Sequence, residues 1–185
     1  MIHCASIKMI ITVGGSIGSG KSTLARSLAR KLGIKYCSVG QIMRDIAKER
    51  GLSILDFSLE AEKDSLIDKE LDERQKDIVE EAEKSGGCVM DSRLGASILK
   101  PDFAIWLDAS PEVQDARISG RDSISIADAR LLIARREASE HERYLKIYNI
   151  DLDDQSVYDL ILNTDKMAPE QVLDACITAI KKRLR

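Results

Sequence analysis

The run Gly15-Ser16-Ile17-Gly18-Ser19-Gly20-Lys21-Ser22 sets a lysine and a hydroxyl directly behind three closely spaced glycines. Such a turn lets successive backbone N–H groups face one anion, and a helix starting there adds partial positive charge. A lysine at that position reaches the β- and γ-phosphates of a nucleotide, and the next hydroxyl meets the accompanying magnesium. The spacing G-x-x-x-x-G-K-S/T is satisfied, and Gly14 and Thr23 complete a candidate nucleotide-binding run over 14–23. Its flanks agree: the β-branched run Ile10 to Val13 precedes it, and apolar Leu24, Leu28 and Leu32 recur at helical spacing after it. A Gly-rich turn with an incidental lysine would need neither flank.

A phosphate cradle alone does not separate a kinase from a GTP switch, so the other charged positions must decide. The base-specifying N-K-x-D of a GTPase is missing; Asn163-Thr164-Asp165-Lys166 has similar letters in another order and reads as the loop after the last strand, near the adenine. When a phosphoryl group passes between two anionic substrates, several arginines must converge to let them approach. Arg44 follows a predicted strand by one helical turn, and Arg93 follows another in Asp91-Ser92-Arg93, at the edge where parallel sheets bind ligands. Either could instead be a solvated surface arginine, but two at strand ends beside the glycine-rich loop favour a site. Asp91 closes the apolar run Cys88-Val89-Met90, where it would hold magnesium through water, orient the acceptor, or cap a helix. Further along, Arg117, Arg121, Arg130, Arg135, Arg136 and Arg143 cluster, interleaved with Glu137, Glu140 and Glu142. Several must only make i,i+4 pairs. Arg136 and Arg143 are the candidates to reach phosphates from a mobile lid that excludes water. Neither His3 nor His141 suggests a base, and no Ser-His-Asp set can be assembled.

The elements that must carry these residues follow from the pattern. Short β-branched runs at Ile10 to Val13, Lys35 to Ser38, Cys88 to Asp91, Ala104 to Asp108 and Val157 to Asn163 alternate with helical spacing. This is an α/β fold, a parallel sheet between helices. The last helix shows Val172, Cys176, Ile180 and Leu184 on one face, with Pro169 as its first residue and Ala168 a poor N-cap. Two stretches exceed simple alternation. Gly40 to Lys84 has almost only helical spacing, and Arg117 to Ile150 contains a long helix that Ser125 and Asp128 would open as a capping box.

With 185 residues the chain fits one domain, and 44% hydrophobic with 32% charged residues fits a folded one. The net charge of −3 gives no general attraction to nucleic acid or anionic membrane. Cys4, Cys37, Cys88 and Cys176 are scattered without metal-ligand spacing and read as reduced packing residues. No apolar run approaches the roughly 20 residues that span a bilayer, so a cytoplasmic protein is expected. Met1 to Lys8 carries little pattern before Met9 opens the first strand, and either methionine could be the true start.

Beyond the glycine-rich loop, five segments are distinctive: Ser38-Val39-Gly40 with Arg44, Ile67 to Gln75, Ser92-Arg93-Leu94, Ile105-Trp106-Leu107-Asp108-Ala109, and Ile147-Tyr148-Asn149-Ile150-Asp151. Through them the chain, from about Met9 to its end, resembles the short archaeal-type cytidylate kinases of the nucleoside monophosphate kinase family. The resemblance implies a P-loop NTPase three-layer αβα fold with a five-stranded parallel sheet ordered 2-3-1-4-5. It further implies a CORE (about 9–39, 85–116 and 151–185), a helical NMP-binding insertion (about 40–84) and a LID (about 117–150). ATP would be the donor, CMP or dCMP the acceptor, and Mg2+ the metal. Ser38, Arg44 and Arg93 would bind the acceptor, with Asp68, Asp72 and Arg74 in its base region; Arg117 would join the ATP site, and Lys21, Arg93, Arg136 and Arg143 would act in catalysis. Ser22 and Asp91 would serve the metal. The family's usual loop reads more like G-P-P-G-S-G-K-T, and its acidic residue before Ser-Arg is more often glutamate than Asp91. A monomer acting on small nucleotides, without nucleic acid or membrane partners, is expected. The rivals are an adenylate or other small-metabolite kinase on the same fold, and an ATP-holding regulatory module without turnover.

Overall fold

The computed structural model describes residues 9–184; the segment 1–8, with His3, Cys4 and the question of the true start, lies outside them. Five strands form one parallel sheet: β1 (Met9–Gly15), β2 (Lys35–Ser38), β3 (Gly87–Asp91), β4 (Phe103–Asp108) and β5 (Leu160–Asn163), in the order β2-β3-β1-β4-β5. Eight helices join them: α1 (Lys21–Leu32), α2 (Val39–Glu49), α3 (Ile54–Ala61), α4 (Ser65–Ser85), α5 (Gly95–Leu99), α6 (Pro111–Asp122), α7 (Ile126–Tyr148) and α8 (Pro169–Arg183).

The central strand β1 is buried along its whole length, and its alternation divides the core in two. Ile11 and Val13 meet Leu24 and Leu28 of α1 and Val172, Cys176 and Ile180 of α8. On the other face Ile10 joins Cys37, Val79, Ala82, Cys88 and Met90, so α4 covers that side. Cys37, Cys88 and Cys176 are free and buried, as packing residues should be. The final helix departs from expectation at its end: Leu184 is its C-cap, past the last helical residue, and stays 52% exposed. Ala168 caps nothing itself, and Gln171 instead reaches back, its side-chain oxygen accepting from the Ala168 N–H at 2.8 Å.

The first insertion folds as three helices with a small core of their own, built on Ile42, Ile46, Phe57, Ile67 and Leu71. In the second, Arg117 lies inside α6, and the long helix is α7, whose root packs Ile118, Ala129 and Ile133 around Ile17. Ser125 caps α7 by accepting from the Asp128 N–H at 3.1 Å, while the Asp128 carboxylate takes the Ser125 hydroxyl at 2.6 Å rather than a backbone group.

The fifth strand is shorter than the apolar pattern suggests. Pairing with β4 begins at Leu160 because Asp159 ends the ladder: its N–H donates to the Ala104 carbonyl and its carboxylate accepts from the Ala104 N–H. Val157 and Tyr158 therefore belong to a turn.

Gly15 sits at φ 146, and a Cβ there would lie 2.1 Å from the Leu107 carbonyl oxygen, which accepts from the Ser16 N–H. Only glycine lets the loop leave β1 against β4. Gly15→Ala is expected to cost about 2–3 kcal/mol and to lower the thermal midpoint by about 4–12 °C. Gly33→Ala, at φ 69 with nothing near its Cβ, should cost only about 1 kcal/mol. Equal losses in thermal unfolding would contradict the close approach at Gly15.

Candidate active site

Parallel strands deliver their carboxyl ends to one edge. In register, Val13 and Ser38 both lie opposite Asp91, while Gly14 and Gly15 lie opposite Trp106 and Leu107. The glycine-rich loop 14–20 and the first turn of α1 therefore form beside Asp91, Ser92 and Arg93. Within the loop the Ser16 and Ser19 hydroxyls are buried without a partner, as expected of groups that await a polar ligand. Gly20 stands at φ 97 ahead of α1, turning the chain so that Lys21, Ser22 and the exposed Thr23 open the helix.

Lys21 folds back on the loop, its Nζ donating to the Ser16 carbonyl at 2.6 Å. Burial first, and Arg93 second, lower its pKa to about 8 against the pull of Asp91 and Glu140. Ser22 donates to the Asp91 carboxylate at 2.5 Å, and the Tyr36 hydroxyl reaches the same oxygen at 3.2 Å. Asp91 is 8% exposed. A hydroxyl beside a buried carboxylate is the hard-oxygen donor set that suits magnesium.

Arg93 is drawn to α7. Its Nη1 donates to Glu140 at 2.7 Å, Nη2 lies 3.5 Å from Glu137, and its buried Nε has no partner. Glu140 also accepts from Arg136 at 3.1 Å. Burial would raise the Glu140 pKa, but Arg93 and Arg136 outweigh that and hold it below the ordinary glutamate value. A cleft lined by Ser16, Arg93, Trp106, Glu137 and His141 opens between the loop and α7.

One to two turns further along α7, Arg143 meets α4. Its Nε lies 3.4 Å from the Asp68 carboxylate, at an angle that makes no hydrogen bond, so both buried atoms stay unsatisfied. Burial raises the pKa of Asp68, opposed by Arg143. The Tyr148 hydroxyl donates to Asp72, whose pKa burial also raises; Gln75 donates to the other Asp72 oxygen at 3.2 Å and accepts from Ser92 at 2.8 Å.

The other sequence candidates are divided between this edge and other surfaces. Arg117 donates to the Gly18 carbonyl at 3.2 Å and to Thr164 at 2.9 Å, tying the loop to the segment after β5. Ser38 ends β2 at the shared edge. Arg44 is exposed on α2, bonded to Gln41 within its own helix. Arg74 is not brought to this edge: Glu49 and Glu70 take its guanidinium and pin α4 to α2. Arg143 stands at Asp68. Sequence reasoning assigned no role to Glu140, Gln75, Trp106 or Tyr158, although the Tyr158 hydroxyl donates to the Arg93 carbonyl at 3.3 Å and its ring packs 5.0 Å from Trp106. The i,i+4 spacing of Arg136 and Glu140 was the one legible signal among these.

A lysine with a depressed folded-state pKa destabilises the empty protein below pH 8, and the penalty fades as pH rises from about 8 towards 10.5. Lys21→Met should therefore be more stable than wild type at pH 7, by about 1–2 kcal/mol after allowing for the solvent the lysine still sees. The difference should vanish near the top of that range, and catalytic turnover should be lost. Thermal unfolding at pH 7 and 10 checks this; a variant less stable at both would contradict it.

Known proteins resemble the chain in both sequence and shape. Residues 10–166 match the model of the cytidylate kinase-like family. A cytidylate kinase of Pyrococcus horikoshii is 42% identical over 94% of this chain and 88% of that protein. That of Methanobrevibacter smithii is 43% identical over 94% and 99%, and that of Methanocaldococcus jannaschii 43% over 93% and 97%. Among solved structures, a shikimate kinase from Aquifex aeolicus superposes with a TM-score of 0.61 at 22% identity, covering 95% of this chain and 98% of its own. An uncharacterized protein from Eubacterium ventriosum reaches 0.71 at 17%, over 94% and 98%. These distant likenesses speak for the fold alone, a five-stranded parallel sheet with helices on both faces. The chain belongs to the cytidylate kinase-like family.

Proposed function

We propose that the protein transfers the terminal phosphoryl group of ATP to CMP, and to dCMP as a second acceptor. The observation that carries this reading is the gathering of Lys21, Arg93 and Arg136 around one anionic position, in a chain 42% identical to a cytidylate kinase over nearly its whole length. In this reading the sheet with α1 and α8 is the CORE, the α2 to α4 insertion binds the nucleoside monophosphate, and α7 is the working part of the LID.

The transfer needs no covalent intermediate and no general base. The 14–20 loop holds the β-phosphate through its N–H groups, with the Ser16 and Ser19 hydroxyls as further donors. Lys21, released from the Ser16 carbonyl, regains its proton fully against the β- and γ-phosphates. Arg117 and Thr164 border the adenine. Arg93 and Arg44 hold the acceptor phosphate, Arg44 by turning away from Gln41, and Arg136 neutralises charge on the group in transit. Ser22 and Asp91 would hold Mg2+, which supplies charge neutralisation between the phosphates.

Asp68 and Arg143 support cytosine as the acceptor base. Each presents a buried, unsatisfied atom, one an acceptor and the other a donor. Cytosine offers the complement, an amino donor at N4 beside an acceptor at N3. Uracil reverses both, so its O4 would face a carboxylate. Tyr148 and Gln75 fix Asp72 below them. No helix among the described residues is long and apolar enough to cross a membrane, and we read the protein as a cytoplasmic monomer acting on free nucleotides with no nucleic acid or membrane partner.

A coupled assay with ATP, magnesium and CMP, dCMP, UMP, AMP or shikimate tests the reading. CMP and dCMP should be used well ahead of UMP and AMP. Asp68→Asn should lower kcat/KM for CMP about 10- to 100-fold while changing the weak UMP activity far less. Transfer to AMP or shikimate alone would replace this acceptor assignment, and ATP binding without transfer to any acceptor would sink the enzyme reading altogether.

A further inference from the structure

The Arg93 guanidinium is already occupied. Two of its nitrogens face Glu140 and Glu137, at 2.7 and 3.5 Å, and the side chain is only 14% exposed. Glu140 is 15% exposed, with one oxygen on Arg93 and the other on Arg136. Lys21 lies close enough for the same carboxylate to perturb it. Arg93, just after β3, and Arg136 of α7 thus bracket one carboxylate near Lys21 at the start of α1, an environment otherwise suited to a phosphate.

We infer that Glu140 is a positioning residue of the transfer reaction: its carboxylate stands in for the acceptor phosphate between Arg93 and Arg136, and it releases both arginines only when that phosphate displaces it. The inference rests on the proposed role of Arg93 towards the acceptor. A phosphate monoester carries about −1.5 to −2 charges and three acceptor oxygens, against one charge and two oxygens for a carboxylate. Arg93 can therefore exchange Glu140 for the acceptor with gain. Until then Arg136 is tied back along its own helix, and a bound ATP lacks the guanidinium that would also assist attack by water. Acceptor arrival and delivery of Arg136 become one event.

Glu140→Gln keeps the shape and removes the charge. Two effects are expected: the acceptor KM falls about tenfold, and ATP hydrolysis without acceptor rises relative to transfer. A residue that merely held the arginines in place would give the opposite KM change and less of both activities. Calorimetric binding of inorganic pyrophosphate gives a readout that needs no acceptor identity. It should tighten about tenfold in Glu140→Gln, and the tightening should disappear in the Arg93→Gln/Glu140→Gln double variant. Glu137→Gln, at the longer contact, should show a smaller effect. Should Glu140→Gln fail to fold, Glu140→Asp, which withdraws the charge by one methylene, should shift KM and hydrolysis in the same direction with smaller amplitude. Pyrophosphate affinity and acceptor-free hydrolysis unchanged from wild type, or a raised acceptor KM, overturn the inference. Failure of the functional reading is distinguishable, because it appears as absence of nucleotide transfer in the wild type itself.

Discussion

Several cations must stand at one edge of a parallel sheet before any ligand arrives, and like charges there repel. At about 4 Å and an effective dielectric near 20, two such charges oppose each other by about 4 kcal/mol. The fold answers with anions from three directions. Asp91 comes from the end of β3, Glu140 and Glu137 from α7, and Asp68 from α4. The depressed pKa of Lys21 records its burial first and the neighbouring Arg93 second. Strand register and helix length follow from the need to bring these groups to one place, because Lys21, Asp91 and Glu140 lie far apart in the chain.

Helix α7 shows how much one element can do. Arg136, Glu140, Arg143, Tyr144 and Tyr148 recur at i, i+4, i+7, i+8 and i+12, which is one stripe of an α-helix. At 1.5 Å per residue the stripe runs about 18 Å, comparable to a nucleoside monophosphate with room for the phosphates. Its first half meets Arg93 and its second half meets Asp68 and Asp72. One rigid rod thus fixes the spacing between the Arg93 contact and the Asp68 and Asp72 contacts. The rod is fixed at its start by the Ser125 cap and ended by Asn149 at φ 56, a left-handed C-cap that asparagine tolerates.

What could be read from the sequence was what short-range physics encodes. The glycine-rich loop between strand and helix, the α/β alternation and the Asp91-Ser92-Arg93 edge all follow from local spacing, and the five-stranded order followed from resemblance. The fifth strand was overextended because Val157 and Tyr158 look like strand residues, whereas the break is made by an Asp159 side chain bonding across to Ala104. Arg74 looked like a ligand residue because nothing local reveals that Glu49, 25 positions away, would claim it. Residue type alone does not reveal that Arg143, seven residues along the helix from Arg136, meets Asp68 of α4. Glu140 went unassigned for a related reason. In sequence it is one of three glutamates among arginines, and only the fold shows that its carboxylate is shared with Arg93, 47 positions upstream.

The departures of the loop from the family's usual spelling become intelligible in the same terms. Ser16 and Ile17 stand where that spelling has two prolines. Ile17 is 5% exposed and packs against Ile118, Ala129 and Ile133, at the junction of α6 and α7. Burying an isoleucine contributes about 1.5–3 kcal/mol, so the phosphate loop and the root of the lid are held by one apolar contact. The start of α7 is thereby fixed to the glycine-rich loop. Ser16 meanwhile retains an N–H, which a proline would lack, and donates it to Leu107 at the point where the chain leaves β1. The substitution exchanges ring stiffness for a hydrogen bond on one side and a hydrophobic hinge on the other, which keeps the cradle in shape while tying its position to the helix that carries Arg136 and Glu140.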